Sequence, residues 1–170
     1  MTSPYAFFQY WLNSDDKDVI NFLKVFSFKS RHEIEEIEKE HNENPGARSA
    51  HRALARELTS LIHGDETSAR VEEAAKALFG QGDLTTLDEK TLASALSELP
   101  RVQISASDEI PTWVDLLAAA GVVDSKSAAR RIVKEGGAYL NNEKISGEDF
   151  RLEKIHFLCG KYAVLRKGKR

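Results

Sequence analysis

Cysteine is almost absent from this chain. Cys159 is the only one, which excludes a disulfide framework and a cysteine-based zinc site and makes a reducing cytoplasm the expected setting. Long apolar runs are missing too: nothing approaches the ~20 residues of a membrane span, and no charged-then-apolar leader opens the sequence. Neither a membrane nor a secretory destination is therefore expected. The five histidines, His32, His41, His51, His63 and His156, show no H-x3-H spacing, and no nucleophile–base pair stands out, so neither a metal centre nor an independent small enzyme is expected. The glutamates of Ser30 to Asn42 lack the mixed ligand spacing of a cation site and read as a solvated helix face.

What is present is the composition of an ordinary globular protein, 41% hydrophobic and 30% charged. The net charge of −3 hides an asymmetry. From Ile110 onward, 12 Lys and Arg face 7 Asp and Glu, a net of +5, whereas the residues before it carry −8. The change of sign divides the chain into a unit over 1–100, a polar linker over 101–109 with a short strand at Val102 to Ile104, and a basic unit over 110–170.

Thr2 to Lys29 holds eight aromatics, too many for a free tail, so the segment must pack on something. Helical spacing aligns Phe7, Tyr10 and Trp11, then Phe22, Val25 and Phe26, with a break at Asn13 to Asp16. There Asn13 or Ser14 is expected to cap a second helix, with Asp15 and Asp16 in its first turn. So aromatic an opening reads as the interior of a longer polypeptide, with Met1 a fragment start. Ser30 and Glu33 have the spacing of a capping box, followed by an apolar stripe of Ile34 and Ile37. Pro45 is expected at the first position of a helix running to His63 and closed by Gly64. Its outer face carries Arg48, Arg52 and Arg56 at i, i+4 and i+8. Further helices are expected over Thr67 to Phe79, stopped by Gly80, and over Asp88 to Leu99, stopped by Pro100, with Leu92, Ala95, Leu96 and Leu99 inward.

In the basic unit, Pro111 starts a helix through Trp113, Leu116 and Leu117 to Gly121. The segment that follows, Ser125 to Ile145, separates two kinds of residue. On a helical wheel Lys126, Arg130, Lys134 and Arg131 occupy an arc of about 140°, and Ala128, Ile132, Ala129 and Val133 a second, non-overlapping arc of similar width. Ser125 is suited to the N-cap and Gly136-Gly137 to the end of the helix. Ala138 to Ile145 reads as a hairpin turning at Asn141-Asn142. Ile155 to Leu158 and Tyr162 to Leu165 read as a closing hairpin, and Arg166 to Arg170 as a frayed basic tail. A short cationic helix of this kind is a solvated surface or a grip for phosphates.

The string formed by Ser125, Lys126, Ala129, Arg130, Arg131, Ile132, Gly136, Gly137, Leu140 and Asn141 resembles the core of the S4-type RNA-binding module. SPYAFFQYWLNSDDKDVINFLKVFSF resembles the segment after the KMSKS loop of bacterial tyrosyl-tRNA synthetases, and ARSAHRALARELTSLIHG resembles a helix of that family's anticodon-binding domain. The resemblance extends over essentially the whole chain. It implies an α+β fold, with an N-terminal all-α anticodon-binding-type domain followed by a small α+β S4-like domain. It also implies a parent that is an ATP-dependent class I tyrosine–tRNA ligase, dimeric through a Rossmann-type domain. No HIGH tetrapeptide, nucleotide-binding glycine loop or KMSKS occurs here. The Ser125-Lys126-Ser127 triplet reads as the start of the basic helix, not as an ATP site, so the chain alone is expected to be inactive and to need no cofactor, ATP and tyrosine belonging to the parent.

The resemblance further implies tRNA(Tyr) as partner. Lys126, Arg130, Arg131, Lys134 and Lys144 would meet phosphates, which gives affinity without base identity. Asp15 and Asp16 are candidates for base edges, or are ordinary acids at a helix start. Arg48 and Arg52 are candidates for RNA, or pair with glutamates on their own helix. The aromatic N-terminal segment would pack on the parent's catalytic domain, and the isolated chain is expected to be a monomer. The alternative is a protein-docking module without RNA affinity of its own.

Overall fold

The computed structural model describes residues 2–79, 82–97, 99–104 and 110–168. The expected helix stop at Gly80, residues 105–109 of the expected linker and the last two residues of the tail lie outside the described residues. The fold is α+β, with eight α-helices and one three-stranded antiparallel sheet among the described residues. Two compact units account for the chain, one of Met1–Ala75 with Lys90–Ser97, the other of Lys76–Glu89 with Glu98–Arg170.

The first unit is helical. Ser3 caps α1 (Pro4–Leu12) by accepting from the Ala6 amide at 3.1 Å, with Pro4 in the first turn where its missing N–H costs nothing. The short α2 (Val19–Phe26) follows. The capping box forms as its spacing predicts: Ser30 and Glu33 satisfy each other's backbone amides and open α3 (Arg31–Glu43). Next, α4 (Ser49–His63) touches α1, α2 and α3. Its Ala50, Leu54 and Leu58 pack with Val19, Ile20, Leu23 and Ile34 into one apolar cluster. After Gly64, at φ +87°, comes α5 (Asp65–Leu78), and further on α6 (Glu89–Leu96).

Four expectations need correction here. Asn13 and Ser14 do not cap α2; Asn13 closes α1, donating its amide to Gln9, and Asp18 stands at the α2 N-cap without a side-chain bond. Asp15 and Asp16 therefore lie in the connection before α2 and not in its first turn. Pro45 starts a 3-10 turn (Pro45–Ala47), and the chain passes through left-handed Arg48 (φ 51°) before α4 begins. The last helix ends at Leu96, which leaves Leu99 exposed.

The second unit is built on α7 (Trp113–Ala119) and α8 (Lys126–Lys134). Thr112, not Pro111, caps α7, accepting from the Asp115 amide. At the end of α8 the amides of Gly136 and Gly137 return to the carbonyls of Val133 and Ile132, at 3.0 and 2.9 Å. This closure requires the positive φ (+68°) of Gly136. β1 (Ala138–Leu140) turns through Asn141 and Asn142, both at positive φ, into β2 (Glu143–Lys144), as the hairpin reading requires.

The closing hairpin is not found. Residues Lys154–His156 form a 3-10 turn, and only the isolated bridge Leu158–Tyr162 joins the two expected arms. The last strand, β3 (Leu165–Lys167), pairs with β1 instead, Tyr139 opposite Arg166, giving the order β2-β1-β3. Arg166 and Lys167 therefore belong to the sheet and not to a frayed tail. Asn141 explains the difference: its amide donates to the His156 carbonyl (2.7 Å) and accepts from Val164 (2.8 Å), drawing the returning chain onto the end of β1. The expected strand at Val102 to Ile104 is absent.

Trp113 is fully buried at the centre of this unit, edge-on to Phe150, whereas Ile155 is 86% exposed on the 3-10 turn. Trp113→Ala is expected to lower stability by about 3–5 kcal/mol, and Ile155→Ala to stay within about 0.5 kcal/mol of the parent chain. Denaturant unfolding measures both, and equal losses would contradict this placement of the core.

Candidate nucleic-acid interface

On α8 the two arcs of the wheel separate in space. Ala129, Ile132 and Val133 are buried against the cluster that includes Trp113, Leu116, Leu117 and Leu140. Lys126, Arg130, Arg131 and Lys134 are all exposed. Three of these four cations already hold carboxylates. Lys126 pairs with Asp115 at 2.6 Å, and Glu148 receives both Arg130 (3.5 Å) and Lys134 (3.3 Å). Hydrogen bonds from Lys126 and Thr112 hold the Asp115 carboxyl below the usual carboxylate range. Arg131 has no ion pair among the described residues. Lys144, exposed on β2, reaches back over Gly136 so closely that a Cβ there would strike its ammonium, at the end of α8 where unpaired carbonyls favour a cation.

The second candidate region is the connection between α1 and α2. Asp15 lines an open cleft of about 520 Å³ with Gln9, Tyr10, Asn13, Ser14, Asp18 and Phe22, and its carboxylate is 3.6 Å from Lys17. Asp16 turns to the other side of the connection, with Oδ1 3.2 Å from Nε2 of His51. The fully buried His51 donates from Nε2 to the Ser14 carbonyl at 3.0 Å, and burial pushes its pKa down. His41, also buried, meets the Asp16 carbonyl at 3.3 Å, with its ring 5.5 Å from that of His51.

Arg48, Arg52 and Arg56 do not form a free ridge. Arg48 donates to the Leu12 carbonyl at 2.6 Å and Arg52 to that of Ala47. Arg56 makes two bonds of 2.7 Å to Glu72 on α5, a partner from another helix and not its own i+4 neighbour. Among the described residues no group of three His, Cys, Asp or Glu could hold a metal, and no helix is long and apolar enough to cross a membrane.

Sequence reasoning missed Asp115, Glu148 and the two buried histidines. The Thr112-x-x-Asp115 spacing marks a capping acid, but nothing in the sequence links it to Lys126. Glu148 lies in an irregular segment that has no period to read.

Comparison with known proteins gives two family matches. Residues 1–80 match the family described as tRNA synthetases class I (W and Y), and residues 91–170 match the tyrosine–tRNA ligase SYY-like C-terminal domain. The tyrosine–tRNA ligase of Streptomyces avermitilis is 58% identical over 170 residues, covering 100% of this chain and 40% of that protein. The Thermobifida fusca ligase is 53% identical over 171 residues, with the same coverage. Among solved structures, a C-terminally truncated mitochondrial tyrosyl-tRNA synthetase from Aspergillus nidulans matches with a TM-score of 0.45 and 36% identity, over 46% of this chain and 23% of that one. The two family matches and the curated relatives agree on the class I tRNA synthetases as the group this sequence falls in. The chain belongs to the tyrosine–tRNA ligase family, and it spans 40% of the length of the curated relatives it matches.

The buried His51 yields a prediction. A histidine held neutral in the fold and ordinary in the unfolded chain makes the unfolded state the better proton binder. Stability should therefore be flat above about pH 6.5 and fall below it by about 1.4 kcal/mol per pH unit until the depressed folded value is reached. In His51→Gln this contribution should vanish. Urea unfolding across pH 5 to 8 measures both chains, and identical pH profiles would refute the assignment.

Proposed function

We propose that this chain is the tRNA-binding portion of a tyrosine–tRNA ligase, with an anticodon-binding helical domain over 1–100, a linker over 101–109 and an S4-like domain over 110–170. The observation that carries the reading is the exposed cationic face of α8, whose opposite face is core. Lys126, Arg130, Arg131, Lys134 and Lys144 neutralise phosphates near the anticodon stem and long variable arm of tRNA(Tyr). Arg131 and Lys144 do so at once, the other three after exchanging Asp115 and Glu148 for phosphate. Asp15 offers carboxylate oxygens to the edge of an unpaired base in the cleft beside Tyr10 and Phe22, where stacking adds to affinity. Asp16 stands behind it, and Arg48 and Arg52 keep guanidinium donors beyond the single bond each makes to the backbone.

Tyr10, Val25 and Phe28, at 71%, 71% and 81% exposure, favour a docking role for the first unit beside the RNA role. The parent's catalytic domain, which binds ATP and tyrosine and forms the cytoplasmic homodimer, covers this aromatic segment. This chain by itself is a monomer and does not form tyrosyl-adenylate.

The test is a titration against tRNA(Tyr) and a short-arm tRNA at several salt concentrations. With four or five phosphates neutralised, log K should fall with log salt at a slope of about −3 to −4. A slope near zero would sink the reading. Arg131→Ala should weaken all RNAs by the same factor, and a sequence-selective loss would contradict a phosphate role. Glu148→Gln, by releasing Arg130 and Lys134, should tighten binding about fivefold and steepen the slope by about 1. Unchanged or weaker binding would mean that Glu148 does not compete with RNA.

A further inference from the structure

Three side chains from one side of the first unit reach alternate carbonyls of the α1–α2 connection. Arg48 donates to Leu12 (2.6 Å), His51 to Ser14 (3.0 Å) and His41 to Asp16 (3.3 Å). The three carbonyls run from the last residue of α1 to the turn before α2, so the contacts span the whole connection. The three donors thus hold the backbone at Leu12, Ser14 and Asp16, while Asn13, Ser14 and Asp15 line the cleft. A carbonyl only accepts, so each imidazole carries its proton on Nε2. On both rings Nδ1 is buried without a hydrogen-bond partner among the described residues. The histidines come from different helices, α3 and α4, and their rings stack edge-on, so each limits the movement of the other. On the far side of the clamp the Asp15 carbonyl accepts from the amides of Asp18 and Val19, at 3.0 and 3.1 Å, and starts α2. Arg48 can act here because its left-handed backbone sets it ahead of the first turn of α4, off the ridge a continuous helix would have formed.

We propose that Arg48, His51 and His41 are positioning residues. They hold the 12–16 backbone in the one path that presents Asp15 to an unpaired RNA base, so that part of the recognition site is set before RNA arrives. The inference rests on the proposed function for its ligand, but the clamp itself is measurable without RNA. It gives Arg48 a task other than phosphate contact and gives the two buried histidines a purpose beyond filling the core. An ordered loop saves the ordering cost otherwise incurred on binding.

Two readouts test it on the full chain. The first is amide hydrogen exchange. In His51→Ala and in His41→Ala, protection of Asp18 and Val19 should fall about tenfold, while that of Leu58 in α4 stays unchanged. His51→Gln, which keeps an N–H donor, should restore it. The second readout is affinity for a hairpin carrying the tyrosine anticodon loop, which should weaken in the alanine variants and recover with glutamine. Unchanged protection at Asp18 and Val19 would overturn the clamp. Loosened amides with undiminished hairpin affinity would overturn its positioning role. Failure of the unsubstituted chain to bind the hairpin would instead defeat the proposed function, and the exchange data would still decide the clamp. Should His51→Ala fail to fold, Arg48→Met removes the half-buried member alone, and the amides of Asn13 and Ser14 give the same reading.

Discussion

The division of α8 into two faces is the constraint on which the second unit depends. A nine-residue helix is too short to be stable by propensity alone, so α8 exists because Ala129, Ile132 and Val133 are anchored among Trp113, Leu116 and Leu117. The same anchoring decides where four cations point. Burying one arc forces the other outward, and no separate device is needed to expose the guanidinium and ammonium groups. The glycine closure after Val133 then turns the chain directly into β1, and the Asn141-Asn142 turn brings Lys144 back beside the helix end. The cationic surface is a by-product of the core.

The carboxylates on that surface modify its strength. Asp115 and Glu148 occupy three cations, lowering the local positive potential and the repulsion that would otherwise act on folding. Exposed pairs of this kind contribute little to stability. In the proposed RNA grip their larger effect would be on discrimination, since a single phosphate would merely replace one carboxylate, whereas a backbone presenting several phosphates would engage all the cations at once.

Where one physical signal dominates, the sequence was easily read. The capping box at Ser30 and Glu33, the faces of α8 and the Asn-Asn turn are each set by residues within a few positions of one another. The failures share the opposite property. The return of β3 to β1 depends on the Asn141 amide bonding to residues 15 and 23 positions away, and the α4 start depends on left-handed Arg48 bonding to Leu12. Neither pairing leaves a period or a composition shift. The candidate site divides in the same way. Exposed cations on a helix face are local facts, but their carboxylate partners, and the histidines beneath the Asp15 connection, are joined to the site only by the fold. The shared signal of tyrosine–tRNA ligases supplied what periodicity could not, namely which kind of polyanion to expect.

The hold on the α1–α2 connection runs through carbonyl oxygens, a group every amino acid carries. On the proposed clamp, the course of that connection is written mainly in Arg48, His51 and His41, with the Asp16 carboxylate beside His51 the one side chain of the connection that joins them. The side chains of Asn13, Asp15 and Lys17 bond to none of these three, so substitution there should leave the path of the backbone unchanged. Shape and chemical preference at this place are governed by different parts of the sequence, so either can drift while the other stays fixed.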